Sequence, residues 1–200
     1  MDTENRENKK NKENEDLQAK VVKITIDMEK IRQTKAFAGQ DGAILGLVWI
    51  ASFACTMLSA NKEAQTLGLV ANILLIATPF IVAKRLKRFR DVVRDGHISF
   101  RHGLYYCVKT FFYATLLLTL VQYLWFSYLD TGVFMSQLEA SYQMVAKAYR
   151  LTAQESQTLI DAITMMSPIA WASMFMITNL AVGAVLSPII AATVSRKAKK

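Results

Sequence analysis

The sequence predicts an all-α fold: an integral membrane four-helix bundle with a helical hairpin between spans 3 and 4 on the outer side. Three observations predict it. Charge is segregated: residues 1–41 hold 18 of the 40 acidic and basic side chains, while Gly42–Ala60 holds none. Soluble helices keep a polar face for water, so a soluble core does not sort its charges this way. Four stretches also reach the ~20 apolar residues that a bilayer-spanning helix needs. Finally, Lys and Arg crowd one side of those stretches. With 52% hydrophobic and 20% charged residues and two Cys, the chain is neither an ordinary soluble enzyme nor a disulfide-stapled secreted domain.

The spans are Gly42–Ala60, Gln65–Ala83, Leu104–Leu129 and Pro168–Val194. None is preceded by a basic segment and followed by a small-residue cleavage site, so the first is expected to act as an uncleaved anchor. Residues 1–41 carry nine Lys and Arg, 84–103 carry seven and 196–200 carry four, against Lys62, Lys147 and Arg150 on the other side. The positive-inside rule therefore predicts both termini in the cytoplasm, with the 61–64 turn and the 130–167 segment outside. Membrane topology accounts for the net charge of +8, which needs no nucleic-acid partner.

Residues 1–16 are almost entirely Asp, Glu, Asn, Lys and Arg and are expected to stay a disordered tail. Residues 17–40 are expected to form a cytoplasmic amphipathic helix. Leu17, Val21, Ile24, Met28 and Ile31 recur at spacings of 4, 3, 4 and 3, and Asn14 or Asp16 is a candidate cap. A strand competes, because Val22, Ile24, Ile26 and Met28 alternate. Such a helix lies on the inner membrane surface or docks a cytosolic partner or a second copy. Two heptads are too few to claim a coiled coil.

Within the membrane domain, 41–195, Gly42 and Gly46 form a small-residue packing face on span 1. Span 2 is expected to continue as helix to Asp95, ~46 Å in all, with Gly96 as its cap and Ser99 capping span 3. Lys84, Arg85, Lys87, Arg88, Arg90 and Arg94 surround that helix end where anionic inner-leaflet headgroups lie, each contributing ~1 kcal/mol of attraction. Tyr105 and Tyr106 at one end of span 3, and Tyr123, Trp125, Phe126 and Tyr128 at the other, read as aromatic belts. Phe134, Leu138, Tyr142, Val145 and Tyr149 then recur at helical spacing. Thr152-Ala-Gln-Glu155 reads as a capping box opening a second helix over 153–166, with Leu159, Ile160, Ile163 and Met166 as its apolar positions. Pro168 opens span 4, where Asn179, Gly183 and Ser187 make another small face and Pro188 is expected to kink the helix. A basic tail, 196–200, closes the chain.

Candidate chemistry is sparse. There is no HExxH, CxxC, GxSxG or phosphate-cradling glycine loop. His97 and His102 are five apart and share no helix face. Cys55 and Cys107 lie at opposite membrane depths and read as small apolar residues. Asp91 and Asp95 stand at i and i+4 on one predicted helix face. Paired aspartates hold divalent metal in membrane alcohol phosphotransferases, but the rest of that motif is missing here. Arg90 and Arg94 neutralise the pair, which reads as a solvated, salt-bridged helix end. Lys109 is expected to snorkel to the interface, with an ion-path role as the alternative. Asn72, Gln122 and Asn179 are candidates for inter-helix hydrogen bonds typically worth ~0.6–2 kcal/mol, or for a small polar cavity.

These features favour a non-enzymatic scaffold or accessory subunit without a cofactor. It would contact anionic inner-leaflet lipids, and a protein partner through the Leu17–Ile31 helix or the outer hairpin; a homo-oligomer is left open. The alternatives are a small transporter or channel with a polar site between spans and, more weakly, a lipid-modifying enzyme.

Four short motifs carry a family resemblance: Gly42-Ala-Ile-Leu-Gly46, the charged connection Arg90–Asp95, Gly96-His-Ile-Ser-Phe100 and Tyr128-Leu-Asp130. Over residues of about 40–195 the chain resembles an uncharacterised family of bacterial inner-membrane proteins, domain-of-unknown-function family 4199. The resemblance implies four spans, a helical outer segment and a bacterial inner-membrane location. It implies no activity and does not cover the charged tail 1–35.

Overall fold

The computed structural model describes residues 2–59, 64–129, 132–149 and 152–195. Ala60, Lys62, Asp130, Arg150 and the 196–200 tail lie outside them. The chain forms two compact units, Met1–Phe37 and Ala38–Lys200. Six α-helices are described: α1 (Asp2–Leu58), α2 (Thr66–Val93), α3 (Phe100–Leu124), α4 (Val133–Tyr149), α5 (Ala153–Thr164) and α6 (Pro168–Ser195). A π-helical turn, Trp125–Leu129, extends α3. Four helical stretches, Leu17–Leu58, Thr66–Val93, Phe100–Leu129 and Pro168–Ser195, are long and apolar enough to cross a membrane. The fold is an all-α membrane bundle, as the charge segregation predicts.

The first unit is the N-terminal part of α1. Its 17–35 segment is helix, not strand. Thr25 and Thr34 turn their hydroxyls onto the carbonyls of Val21 and Lys30, at 2.9 and 2.7 Å. This back-bonding within the helix satisfies a β-branched polar residue there. The expectation for residues 1–16 is corrected: α1 starts at Asp2, so neither Asn14 nor Asp16 caps it. Lys, Glu and Arg lose little rotamer freedom in a helix and rank among the better helix formers.

In the second unit, close backbone approach explains the glycines. A Cβ on Gly42 would sit 2.7 Å from Tyr113 Cβ and 2.8 Å from the Thr110 carbonyl oxygen, and one on Gly46 would sit 2.9 Å from Leu117 Cδ2. A Cβ on Gly183 would sit 2.7 Å from Phe111 Cβ. The small faces of spans 1 and 4 are thus both spent on α3 of the same chain. Leu45, Trp49, Val82, Leu86, Phe111, Ala114 and Ile190 fill the core between these helices. Two buried bonds tie α1 to α2: Trp49 Nε1 donates to Thr78 Oγ1 at 2.9 Å, and Ser52 Oγ donates to the Ala71 carbonyl at 3.0 Å.

Helix ends follow local chemistry. α2 stops at Val93, two residues before the expected Asp95, because Asp95 and Gly96 both take left-handed φ values, 50° and 78°. The Gly96 N–H closes the end on the Arg90 carbonyl at 3.0 Å. Ser99 caps α3, its Oγ accepting from the His102 N–H. Thr152 and Glu155 form the predicted capping box on α5. Ser167 Oγ accepts the Ala170 N–H at 3.4 Å, with Pro168 in the first helical position where its missing N–H costs nothing. α6 continues through Pro188 to Ser195.

Candidate functional site

Three loci carry polar or unpartnered groups. The first is the end of the bundle near Arg85. Asp41, almost fully buried, accepts a hydrogen bond from the Tyr106 hydroxyl and pairs with Arg85 at 3.4 Å. Tyr106 is itself buried and stacks on Phe89, ring centroids 5.0 Å apart. Arg90 is only 8% exposed. It donates to the Val194 carbonyl at 2.8 Å, near the end of α6, and to Asp91 Oδ1 at 2.7 Å. The Arg94 guanidinium lies over the Phe89 ring at 5.5 Å, and burial lowers its pKa from the ordinary arginine value.

This geometry corrects the expected ring of lipid-facing cations. Lys84, Lys87 and Arg88 are exposed. Arg85 and Arg90 turn inward to Asp41 and Val194, and Arg94 lies against an aromatic ring. The physical reason is helical phase. Val82, Leu86 and Phe89 are buried at spacings of 4 and 3, and Arg90 follows directly on the same flank. Asp91 and Asp95 are also corrected: Asp95, at positive φ beyond the helix end, shares no helix face with Asp91. Asp41 was missed because it reads as the last charge of the tail. Its signal is position: it abuts the charge-free run from Gly42, where a carboxylate needs a cationic partner on a neighbouring span.

The intramembrane amides do not converge. Asn72 is exposed and its Nδ2 donates to the Gly68 carbonyl of its own helix at 3.0 Å. The one bond described for its side chain is thus to its own helix rather than to a neighbouring span. Asn179 is half-buried on α6. Lys109 Nζ stands 5.8 Å from the Tyr105 ring centroid and 5.5 Å from that of Phe112, a cation–π seat on its own helix. Ser187 is buried and donates to the Gly183 carbonyl at 2.6 Å.

The second locus is at the other end of the bundle. Met57, Phe134 and Trp171 form a buried cluster with Phe53, Trp125, Phe126 and Phe175 packed against it. The π-helical turn lets consecutive residues Trp125 and Phe126 both reach Phe53, at 5.9 and 6.1 Å. Beside this cluster lies a half-open cavity of about 250 Å³ lined by residues of α1, α3, α4 and α6, with Thr56, Gln122, Gln137 and Ser141 as its polar members. Gln137 Nε2 donates to the Thr56 carbonyl at 3.3 Å, fixing α4 over the cavity.

The third locus is the apolar seam of the first unit. Leu17, Val21, Ile24, Met28 and Ile31 are all 49–66% exposed. They occupy one face of the helix, as their spacing predicts, and residues 17–33 are exposed on every face.

The family described as Protein of unknown function (DUF4199) matches residues 40–196. No curated protein and no solved structure matches the chain.

Proposed function

The chain belongs to the DUF4199 family of proteins of unknown function, and from that premise we propose that it is a non-enzymatic membrane scaffold or accessory subunit. It sits in the bacterial inner membrane with both termini in the cytoplasm and holds a protein partner through the Leu17–Ile31 face of α1. The apolar periodicity of the seam carries this reading. Five apolar side chains line one face at 4-3-4-3 spacing, and fully burying each is worth ~1.5–3 kcal/mol. An apolar stripe of this kind is the anchor pattern by which helices lie in a partner's groove. The exposed Lys84, Lys87 and Arg88 contact anionic headgroups at the same membrane face.

The polar groups favour this reading over transport. Asp41 is taken up by Tyr106 and Arg85, Arg90 by Val194 and Asp91, and Asn72 faces away from the bundle. Photocrosslinking in native membranes tests the proposal. A benzophenone side chain at Ile24 or Met28 is expected to give a discrete protein adduct, and one at Glu29, off the seam, is not. Equal adducts at all three positions, or none at Ile24 and Met28, would remove the docking role.

A further inference from the structure

We infer that α2 is the surface through which two copies of this chain pair in the membrane, with Asn72 of each copy bonded to Asn72 of the other. The inference is independent of the docking role proposed for the Leu17–Ile31 seam. It rests on an amide standing among lipid-facing side chains. α2 packs on the bundle through Ala71, Thr78, Val82 and Leu86. Asn72 is exposed on another flank, beside Leu69, Ile76 and Phe80, which are 67, 68 and 72% exposed. Leu69, Asn72, Ile76 and Phe80 recur at spacings of 3, 4 and 4, so they form one stripe along the helix. Asn72 Nδ2 donates to the Gly68 carbonyl, and among the described residues nothing donates to its Oδ1.

Depth and symmetry select the occupant. Lys84, the first cation after the apolar run of α2, lies twelve positions from Asn72, ~18 Å along the helix. With Lys84 at one edge of a ~30 Å hydrocarbon layer, Asn72 lies ~12 Å inside the other. Water and headgroups do not reach that depth, and acyl chains carry neither donor nor acceptor. A polar group there is met by another helix. A different protein would need its own polar residue at the same level, whereas a second copy has one by construction. A twofold axis along the membrane normal brings the same residue of both copies to one depth. A primary amide both donates and accepts, so the second Nδ2 hydrogen of each Asn72 meets the Oδ1 of the other. The rest of the stripe supplies apolar contact on either side. The small-residue faces do not compete for this role, since Gly42, Gly46 and Gly183 are closed by α3 of the same chain.

Energy transfer between donor- and acceptor-labelled copies of the full-length chain tests this in phosphatidylethanolamine–phosphatidylglycerol vesicles. Monomeric fluorescent proteins fused after Lys200 serve as labels, and a membrane protein known to be monomeric sets the random background. Transfer is expected to rise above that background and saturate with the protein-to-lipid ratio. Asn72→Leu should shift the half-maximal ratio upward by at least ~10-fold, the order expected for losing a reciprocal pair of interhelical hydrogen bonds. Asn72→Gln keeps both donor and acceptor and should stay near the wild type. Both variants should keep the wild-type melting temperature in excess detergent, because the Asn72 side chain is exposed. In a Cys55→Ala, Cys107→Ala background, a bifunctional maleimide should join copies carrying Ile76→Cys. It should not join copies carrying Val70→Cys, which is exposed about a third of a turn away. The pairing is refuted if the wild type shows no transfer above background, if Asn72→Leu associates as tightly as the wild type, or if Val70→Cys cross-links as readily as Ile76→Cys. A larger loss from Asn179→Leu than from Asn72→Leu would move the contact to α6 and overturn the assignment to α2.

Discussion

Arg88 and Arg90 lie two positions apart on α2, and helical phase sends one outward and one into the bundle. Arg90 lends its guanidinium to the Val194 carbonyl near the C-terminal end of α6, where positive charge also meets the negative end of the helix dipole. Hydrogen bonds to charged groups contribute ~1.5–3 kcal/mol each when buried. Arg90→Met should therefore cost on the order of 2 kcal/mol, read as a lower melting temperature in detergent, whereas Arg88→Gln should stay within ~0.5 kcal/mol. Equal losses would contradict the inward placement. The contrast also marks what a single sequence conceals at this scale. Both residues carry the same charge in the same run, and only the partners brought by α1 and α6 separate them. Asp41 was concealed in the same way: its Tyr106 and Arg85 partners are 65 and 44 positions away. The glycines were legible, because a small residue repeated at helical spacing has few uses beyond close approach.

At the scale of one element, α5 depends on its first turn. It has 12 residues, a length at which isolated helices are marginal in water. Glu155 Oε2 accepts both the Thr152 N–H at 2.9 Å and the Thr152 hydroxyl at 2.7 Å. These bonds favour the carboxylate and hold its pKa below the ordinary glutamate value of 4.5. The sign follows directly: a lowered folded pKa makes the box stabilising above the unfolded value, and that contribution is lost as pH falls through the folded value. The Thr152 amide resonance should titrate with a midpoint below 4.5, and Glu155→Gln should abolish the titration. A midpoint above 4.5 in the wild type would show that the box does not form. Capping boxes are readable in advance because every participant lies within four residues. The start of α1 was not, since charge composition alone argued for disorder while the intrinsic helix preference of Lys, Glu and Arg pulled the other way.

For the whole molecule, the four apolar helices were legible because spanning a bilayer constrains length and composition together; how polar side chains distribute around them was not. That distribution narrows the lipid-facing surface. Lys84, Lys87 and Arg88 recur at i, i+3 and i+4, so they form one exposed stripe instead of a ring. Such a stripe suits a helix whose other flank is packed, with the charged heads reaching the headgroup layer and the stems lying along the apolar surface. At ~1 kcal/mol per residue near an anionic surface, changing all three to Gln should weaken retention of anionic lipid by up to ~3 kcal/mol. Native mass spectrometry at low salt should then count fewer bound anionic lipids. The deficit should shrink as ionic strength rises, since the Debye length falls from ~10 Å at 0.1 M to ~3 Å at 1 M. The same variant should keep its melting temperature, because all three side chains are exposed. A second variant, Arg90→Met, separates the two effects: it should lose stability while retaining the lipids held by the stripe. If the triple variant keeps as many anionic lipids as the wild type at low salt, the stripe does not bind headgroups, and these cations serve only to orient the chain in the membrane.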